Sequence, residues 1–258
     1  MVLIICYYQL SFKFRPFVFS PKAINRKRLV LSKPGDDSQI DWQSLLKSGN
    51  RIFIGSNAAV PNALVQDLID SEHKLRDIEV VHILTLSDNI WAKPDHKDLF
   101  KVNALFIGGK NVREAIAEGR ADYTPCFLSE IPSLFEDNVL PLDAALVMVS
   151  PPDEYGYCSL GVSVDVVLAA VKHAKYVVAQ VNTKMPRTNG QSFIHVSQIT
   201  AWMKQAQALP ELPATQYDKV TEQIGQYVSL LVDDGSTLQL GIGKIPDAVL
   251  RYLCNHKD

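Results

Sequence analysis

Short, uninterrupted apolar runs recur along this chain, separated by helix-patterned segments, and that arrangement constrains the fold more than any other feature. Ala144-Ala-Leu-Val-Met-Val149 and Tyr176-Val-Val-Ala-Gln-Val181 do not alternate apolar with polar residues as a half-solvated strand does. Such runs read as strands covered on both faces. Strands are predicted on the same grounds at 51–55, 78–85, 104–108 and 238–241. The intervening segments 36–48, 61–71, 112–119, 127–136, 164–174, 217–232 and 246–254 read as helices. Gly49 stops the first of these, and Pro61 and Pro246 fall in first helical turns, where a missing N–H costs nothing. The alternation predicts an α/β protein with an open, mainly parallel sheet covered by helices.

Composition agrees with a globular chain. Its 258 residues are 47% hydrophobic and 21% charged, which leaves room for a core that needs no disulfide support. Cys6, Cys126, Cys158 and Cys254 are widely spaced, with no C-x-x-C pair and no ligand-spaced histidine beside them. Neither a secreted disulfide framework nor a metal site is expected, and a reducing cytoplasm is the expected compartment.

The net charge of −2 hides an asymmetry. Residues 1–35 hold seven of the 26 Lys and Arg and none of the 28 Asp and Glu. We read this stretch as a basic extension, solvated and loosely packed, rather than a surface for nucleic acid or anionic lipid. Its apolar start lacks a positive n-region and ends at Gln9, so neither a signal peptide nor a membrane span is indicated.

The chain also resembles itself. Ile52-Phe-Ile-Gly-Ser-Asn-Ala-Ala-Val-Pro-Asn-Ala-Leu64 and Leu238-Gln-Leu-Gly-Ile-Gly-Lys-Ile-Pro-Asp-Ala-Val249 both read as strand, small-residue turn and Pro-initiated helix. The repeat predicts two similar α/β domains. The expected organisation is a first domain over 36–207, a Pro-containing connector over 208–216, and the opening elements of a second domain over 217–258. One helix, strand and helix do not make a domain, so the chain is expected to be the front part of a longer protein.

Gly241-Ile242-Gly243 ends an expected strand just before a helix, where backbone N–H groups face the crevice in which open α/β sheets bind ligands. Pro246 stands where a dinucleotide fingerprint needs its third glycine, and Lys244 is not followed by Ser or Thr, so neither nicotinamide nor a phosphate loop is indicated. A tight turn that merely needs small residues is an equal reading. Arg187 lies in a polar loop over 182–195, suited to a carboxylate or phosphate through its planar fork but equally to a structural ion pair. His195, between Ile194 and Val196, reads as a structural histidine; Ser159 lacks a G-x-S-x-G setting, and nothing adjacent activates Cys158.

The segments Arg51-Ile-Phe-Ile-Gly-Ser56, Ser150-Pro-Pro-Asp-Glu-Tyr-Gly-Tyr-Cys-Ser-Leu-Gly161, Asn182-Thr-Lys-Met-Pro-Arg-Thr-Asn-Gly-Gln-Ser-Phe-Ile-His195 and Gln239-Leu-Gly-Ile-Gly-Lys-Ile-Pro-Asp-Ala-Val249 resemble the acetyl-CoA hydrolase/transferase family, nearest to its 4-hydroxybutyrate and butyryl-CoA:acetate CoA-transferases. The likeness runs from about residue 41 to 258. It implies paired α/β domains with an acyl-CoA site between them, and coenzyme A as substrate rather than a bound cofactor. It further implies a glutamate that attacks the thioester, passes through an anhydride to a glutamyl-CoA thioester, and hands CoA to a small carboxylate such as acetate or 4-hydroxybutyrate. That glutamate is expected beyond residue 258, so no catalytic residue is assigned here and this chain alone is expected to be inactive. By position, Gly241, Ile242 and Gly243, the matching turn at Ser56 and Asn57, and Arg187 are the substrate-site candidates. An acyl-CoA hydrolase and a noncatalytic binding module are the alternative readings, and a homo-oligomer is left open.

Overall fold

The computed structural model describes residues 40–71, 74–211 and 216–257. The basic extension expected over 1–35 lies outside them. The described residues divide after Glu211 into two compact units.

The first unit is built on strands β1 (Arg51–Ile54), β2 (Ile78–His82), β3 (Phe100–Ala104), β4 (Ala121–Tyr123), β5 (Ala144–Val149), β7 (Tyr176–Val181) and β9 (Ala201–Lys204), with a separate hairpin of β6 (Tyr157–Ser159) and β8 (Phe193–His195). The seven-stranded sheet has the order β4-β3-β2-β1-β5-β7-β9, and every neighbouring pair is parallel. Helices α1 (Trp42–Leu45), α2 (Asn62–Asp70), α3 (Lys110–Ala117), α4 (Ile131–Glu136) and α5 (Val167–His173) supply its covers.

Strand geometry divides the core in two. Ile52 and Ile54 join Trp42, Leu64, Leu68, Val80 and Val112 on one face, while Phe53 joins Val81, Ile131, Phe135, Val167 and Val171 on the other. Both faces are therefore apolar, as the uninterrupted runs require. Phe53 meets the edge of Phe135 at 5.7 Å between ring centroids, a pair that adds about 1 kcal/mol to simple burial.

Three expected elements are corrected. The helix expected over 36–48 is only Trp42–Leu45 among the described residues: Asp41 caps it by accepting from Ser44 N–H, and Leu46 turns extended while staying buried. The strand expected at 104–108 is β3 at Phe100–Ala104, because its ladder with β2 ends at the His82–Ala104 pair. The apolar run beyond it overshoots the sheet, leaving Phe106 50% and Ile107 37% exposed. The strand expected at 238–241 does not form: among the described residues no segment offers it a ladder partner.

The second unit is the pair α6 (Lys219–Ser229) and α7 (Lys244–Tyr252). Asp218 caps α6 by accepting from Thr221 N–H at 2.8 Å. Close packing depends on Gly225, where a Cβ would lie 2.8 Å from the Ala248 carbonyl carbon. Outside that seam Leu230 and Leu231 are 76% and 77% exposed. Among the described residues of both units, no helix is long and apolar enough to cross a membrane.

His82, at the end of β2, is fully buried and lies edge-on to Trp91 at 5.6 Å. Its Nδ1–H donates to the Ile83 carbonyl at 2.6 Å, while Nε2 has no partner among the described residues. Burial pulls its pKa from 6.5 down to about 4, so the ring stays neutral in the fold. Between those values the unfolded chain binds the extra proton, so this contribution is complete above pH 6.5 and disappears as pH falls toward 4. Urea denaturation at pH 7 and pH 4 should show a loss of about 3 kcal/mol assignable to His82. The pH dependence of His82→Gln should be shallower by that amount, and a wild-type slope retained in the variant would rule the assignment out.

Candidate functional site

In an open parallel sheet the carboxyl ends of the strands form a crevice where the chain reverses its direction of winding. Here that point lies between β1 and β5. The chain leaves β1 toward β2, β3 and β4 on one side, then crosses to β5, β7 and β9 on the other. The turn Gly55-Ser56-Asn57 stands at the end of β1, Ser150 at the end of β5 and Asn182 at the end of β7.

The β1 turn is held on both sides. Gly55 N–H donates to Leu146 O of β5 at 2.8 Å. Asn57 N–H donates to Leu84 O at 2.7 Å, and Leu86 N–H returns to Asn57 O at 3.0 Å. Asn57 has φ +51°, the left-handed conformation that Asn tolerates better than most residues. Its side chain is exposed and makes no hydrogen bond among the described residues. The Ser56 side chain, by contrast, is wholly buried. Its Oγ donates to Asp165 Oδ2 at 2.5 Å and lies 3.0 Å from Ser163 Oγ, which donates to the same carboxylate oxygen at 2.6 Å. The other carboxylate oxygen accepts from the N–H groups of Val166 and Val167 at 2.5 and 3.2 Å.

Ser163 and Asp165 escaped the sequence reading, which began a helix at residue 164, just after Ser163 and through Asp165. A polar Ser-Val-Asp ahead of an apolar helical run is a start signal, and α5 begins only at Val167.

Arg187 belongs to a second cluster around the β6–β8 hairpin. Its guanidinium donates to Asp153 Oδ2 and to Tyr157 O, both at 2.9 Å, and lies 5.0 Å over the Phe193 ring. Asp153 also accepts from the N–H groups of Tyr157 at 2.8 Å and Tyr155 at 3.0 Å. The Tyr157 N–H first, then the Tyr155 N–H and Arg187, hold the Asp153 carboxyl below the usual range against a smaller opposing effect of burial. Arg187 thus ties the 153–157 turn to the hairpin, and no hydrogen bond joins it to Ser56 or Asn57.

Ser159, Cys158 and His195 have structural work. Ser159 Oγ accepts from Gly161 N–H at 3.0 Å and Thr188 N–H at 3.1 Å, pinning the 182–192 loop. Burial pushes the Cys158 thiol up to about 11. His195 Nδ1 accepts from Ser197 N–H at 3.2 Å, and its ring packs edge-on to Tyr157 at 5.1 Å.

Gly241, Ile242 and Gly243 lie in the second unit. Gly243 has φ +129° and forms the N-cap of α7, and Ile242 is 86% exposed. A Cβ at Gly241 or Gly243 would meet nothing within 4 Å.

The sheet and crevice define a class: open parallel α/β proteins that take a ligand at the carboxyl edge. The comparisons narrow it. Residues 38–235 match the family model for the acetyl-CoA hydrolase/transferase N-terminal domain, and the chain belongs to that family. It is 44% identical over 215 residues to a 4-hydroxybutyrate coenzyme A transferase of Clostridium kluyveri, covering 83% of this chain and 50% of that protein. It is 46% identical over 216 residues to a succinyl-CoA:acetate/propanoyl-CoA:succinate CoA transferase of Fasciola hepatica, covering 83% and 45%. The crystal structure of a 4-hydroxybutyrate CoA-transferase from Porphyromonas gingivalis superposes with a TM-score of 0.70 at 36% identity, over 84% of this chain and 50% of that one. The chain spans about half the length of the curated relatives it matches.

The raised Cys158 pKa has a direct consequence. At pH 7.4 its thiolate fraction is below about one in a thousand, so iodoacetamide should label exposed Cys254 and leave Cys158 unmodified until the protein is denatured. Mass spectrometry of tryptic peptides checks this, and rapid native labelling of Cys158 would show that its burial is wrong.

Proposed function

We propose that the protein carrying this chain transfers coenzyme A between an acyl-CoA and a small carboxylate such as acetate or 4-hydroxybutyrate, with coenzyme A as substrate rather than resident cofactor. The observation that carries the reading is the coincidence of a switch-point crevice with extensive identity to proteins named as CoA-transferases. On this reading the Gly55–Asn57 turn at the end of β1 is a substrate contact of the first unit, and the Gly241–Gly243 turn, which leads into α7, is a substrate-contact candidate of the second. Arg187 is a weaker substrate candidate, since its fork is engaged with Asp153 and Tyr157.

The chemistry asks for such a frame. A carboxylate is a weak nucleophile toward a thioester and gains most from fixed orientation and from N–H donors at the developing oxyanion. The attacking glutamate implied by the resemblance is not assigned to any Glu of these 258 residues. Nothing in the two clusters supplies a substitute: Cys158 is held as a thiol, and Ser159 is occupied as an acceptor.

The full-length gene product, given butyryl-CoA and isotopically labelled acetate, should form labelled acetyl-CoA and release butyrate in equal amounts. Butyryl-CoA alone should yield a borohydride-trappable enzyme thioester, because the donor half-reaction needs no acceptor. Free CoA appearing at the same rate with or without acetate would identify a hydrolase instead. Binding of acyl-CoA without turnover would identify a noncatalytic module.

A further inference from the structure

The carboxylate of Asp165 is engaged beyond its contacts with the start of α5. One oxygen accepts from the N–H groups of Val166 and Val167 there. The other is committed to Ser163 and, across 109 residues of sequence, to the buried hydroxyl of Ser56. Asp165 holds this position with φ +20°, a conformation that L residues rarely adopt, and such outliers persist only where surrounding contacts enforce them. The residue after Ser56 is Asn57, left-handed, exposed and with its side-chain amide unengaged among the described residues.

We infer that Asp165 is a positioning residue: acting through Ser56, it fixes the β1 turn so that the Asn57 amide is presented at the crevice as a substrate contact. The inference rests on the crevice being the acyl-CoA site proposed above. If Asp165 contacted only the start of α5, Ser56 would keep just the Ser163 hydroxyl as a side-chain partner, and the turn would otherwise be held by the backbone bonds to Leu146, Leu84 and Leu86. With the hydroxyl anchored, the Asn57 side chain departs from a fixed point. An amide offers both a donor pair and an acceptor, which suits a thioester carbonyl, a pantetheine amide or a substrate carboxylate.

The test is a double-mutant cycle on the full-length gene product with Asp165→Asn, Ser56→Ala and the double variant. Each single change should raise KM for acyl-CoA by about tenfold while kcat changes far less, and the double should be no worse than either single, because both remove one link. Melting temperature should fall by about 5 °C at most. Additive losses, or an unchanged KM, would overturn the inference. A second arm needs no turnover: in the ligand-free protein, the side-chain amide NMR signal of Asn57 should shift or broaden in both variants. If the wild type transfers no CoA, the proposed reaction fails, while an Asn57 signal unmoved in both variants separately refutes positioning by Asp165.

Discussion

The parallel pairing of β1 with β5 is the contact on which the rest of the first unit depends. Ile52, Phe53 and Ile54 lie beside Ala144, Ala145 and Leu146, so Ile52 and Phe53 stand next to small side chains on the partner strand. That contrast leaves Phe53 space to meet Phe135 of α4 on one face while Ile52 and Ile54 pack toward α2 on the other. Close packing of this kind tolerates little change in volume. The same pairing continues one residue past β1, where Gly55 donates to Leu146. A Cβ at Gly55 would come within 3.3 Å of Ala59 O and 3.4 Å of Leu146 O, so glycine keeps the turn close to β5. Fold and crevice are thus continuous: the ladder that joins the two halves of the sheet also sets where its mouth opens.

Polar groups above the sheet are satisfied mainly by one another. Ser150 and Ser159 brace the 150–161 loop and Ser192 the 182–192 loop through side-chain to backbone bonds, and Ser159 and Thr188 join the two loops. Buried hydroxyls are costly when unpaired and inexpensive when they replace the turns of regular secondary structure. These loops therefore behave as built structure despite their polar, Pro- and Gly-containing sequence. Arg187 and Asp153 belong to the same scheme, since the fork that fits a carboxylate closes on one supplied by the protein itself.

Much of this was legible in the sequence, and the misses share a cause. Ala144–Val149 and Tyr176–Val181 are strands as read, because an apolar run central in a covered sheet coincides with its ladder. The run at 104–108 misled because hydrophobicity continued after pairing with β2 had ended. The run at 238–241 has strand-like composition, but strand formation depends on a partner, which no local pattern encodes. Strands such as β6 and β8, at three residues each, are too short for periodicity to register. At the site, Ser56 and Asn57 were found through the internal repeat, whereas Asp165 was absorbed into the expected helix over 164–174 and Ser163, just ahead of it, was not singled out. Their link to Ser56 spans more than a hundred residues and is visible only in three dimensions.

The charge of Asp165 sits in an unusual place for a crevice that is proposed to receive acyl-CoA and a carboxylate, both anionic. Its two oxygens offer about four acceptor positions, and two hydroxyls and two backbone N–H groups meet them. A carboxylate so fully donated to has its negative charge spread over its partners, which weakens its repulsion of an approaching anion relative to a bare acid. The arrangement also separates two demands that one residue could not meet together. Rigidity is supplied by the ionised group joined to Ser56, and recognition is left to the neutral amide of Asn57. On the proposed reading, the turn is anchored by a charge and faces its substrate with a dipole.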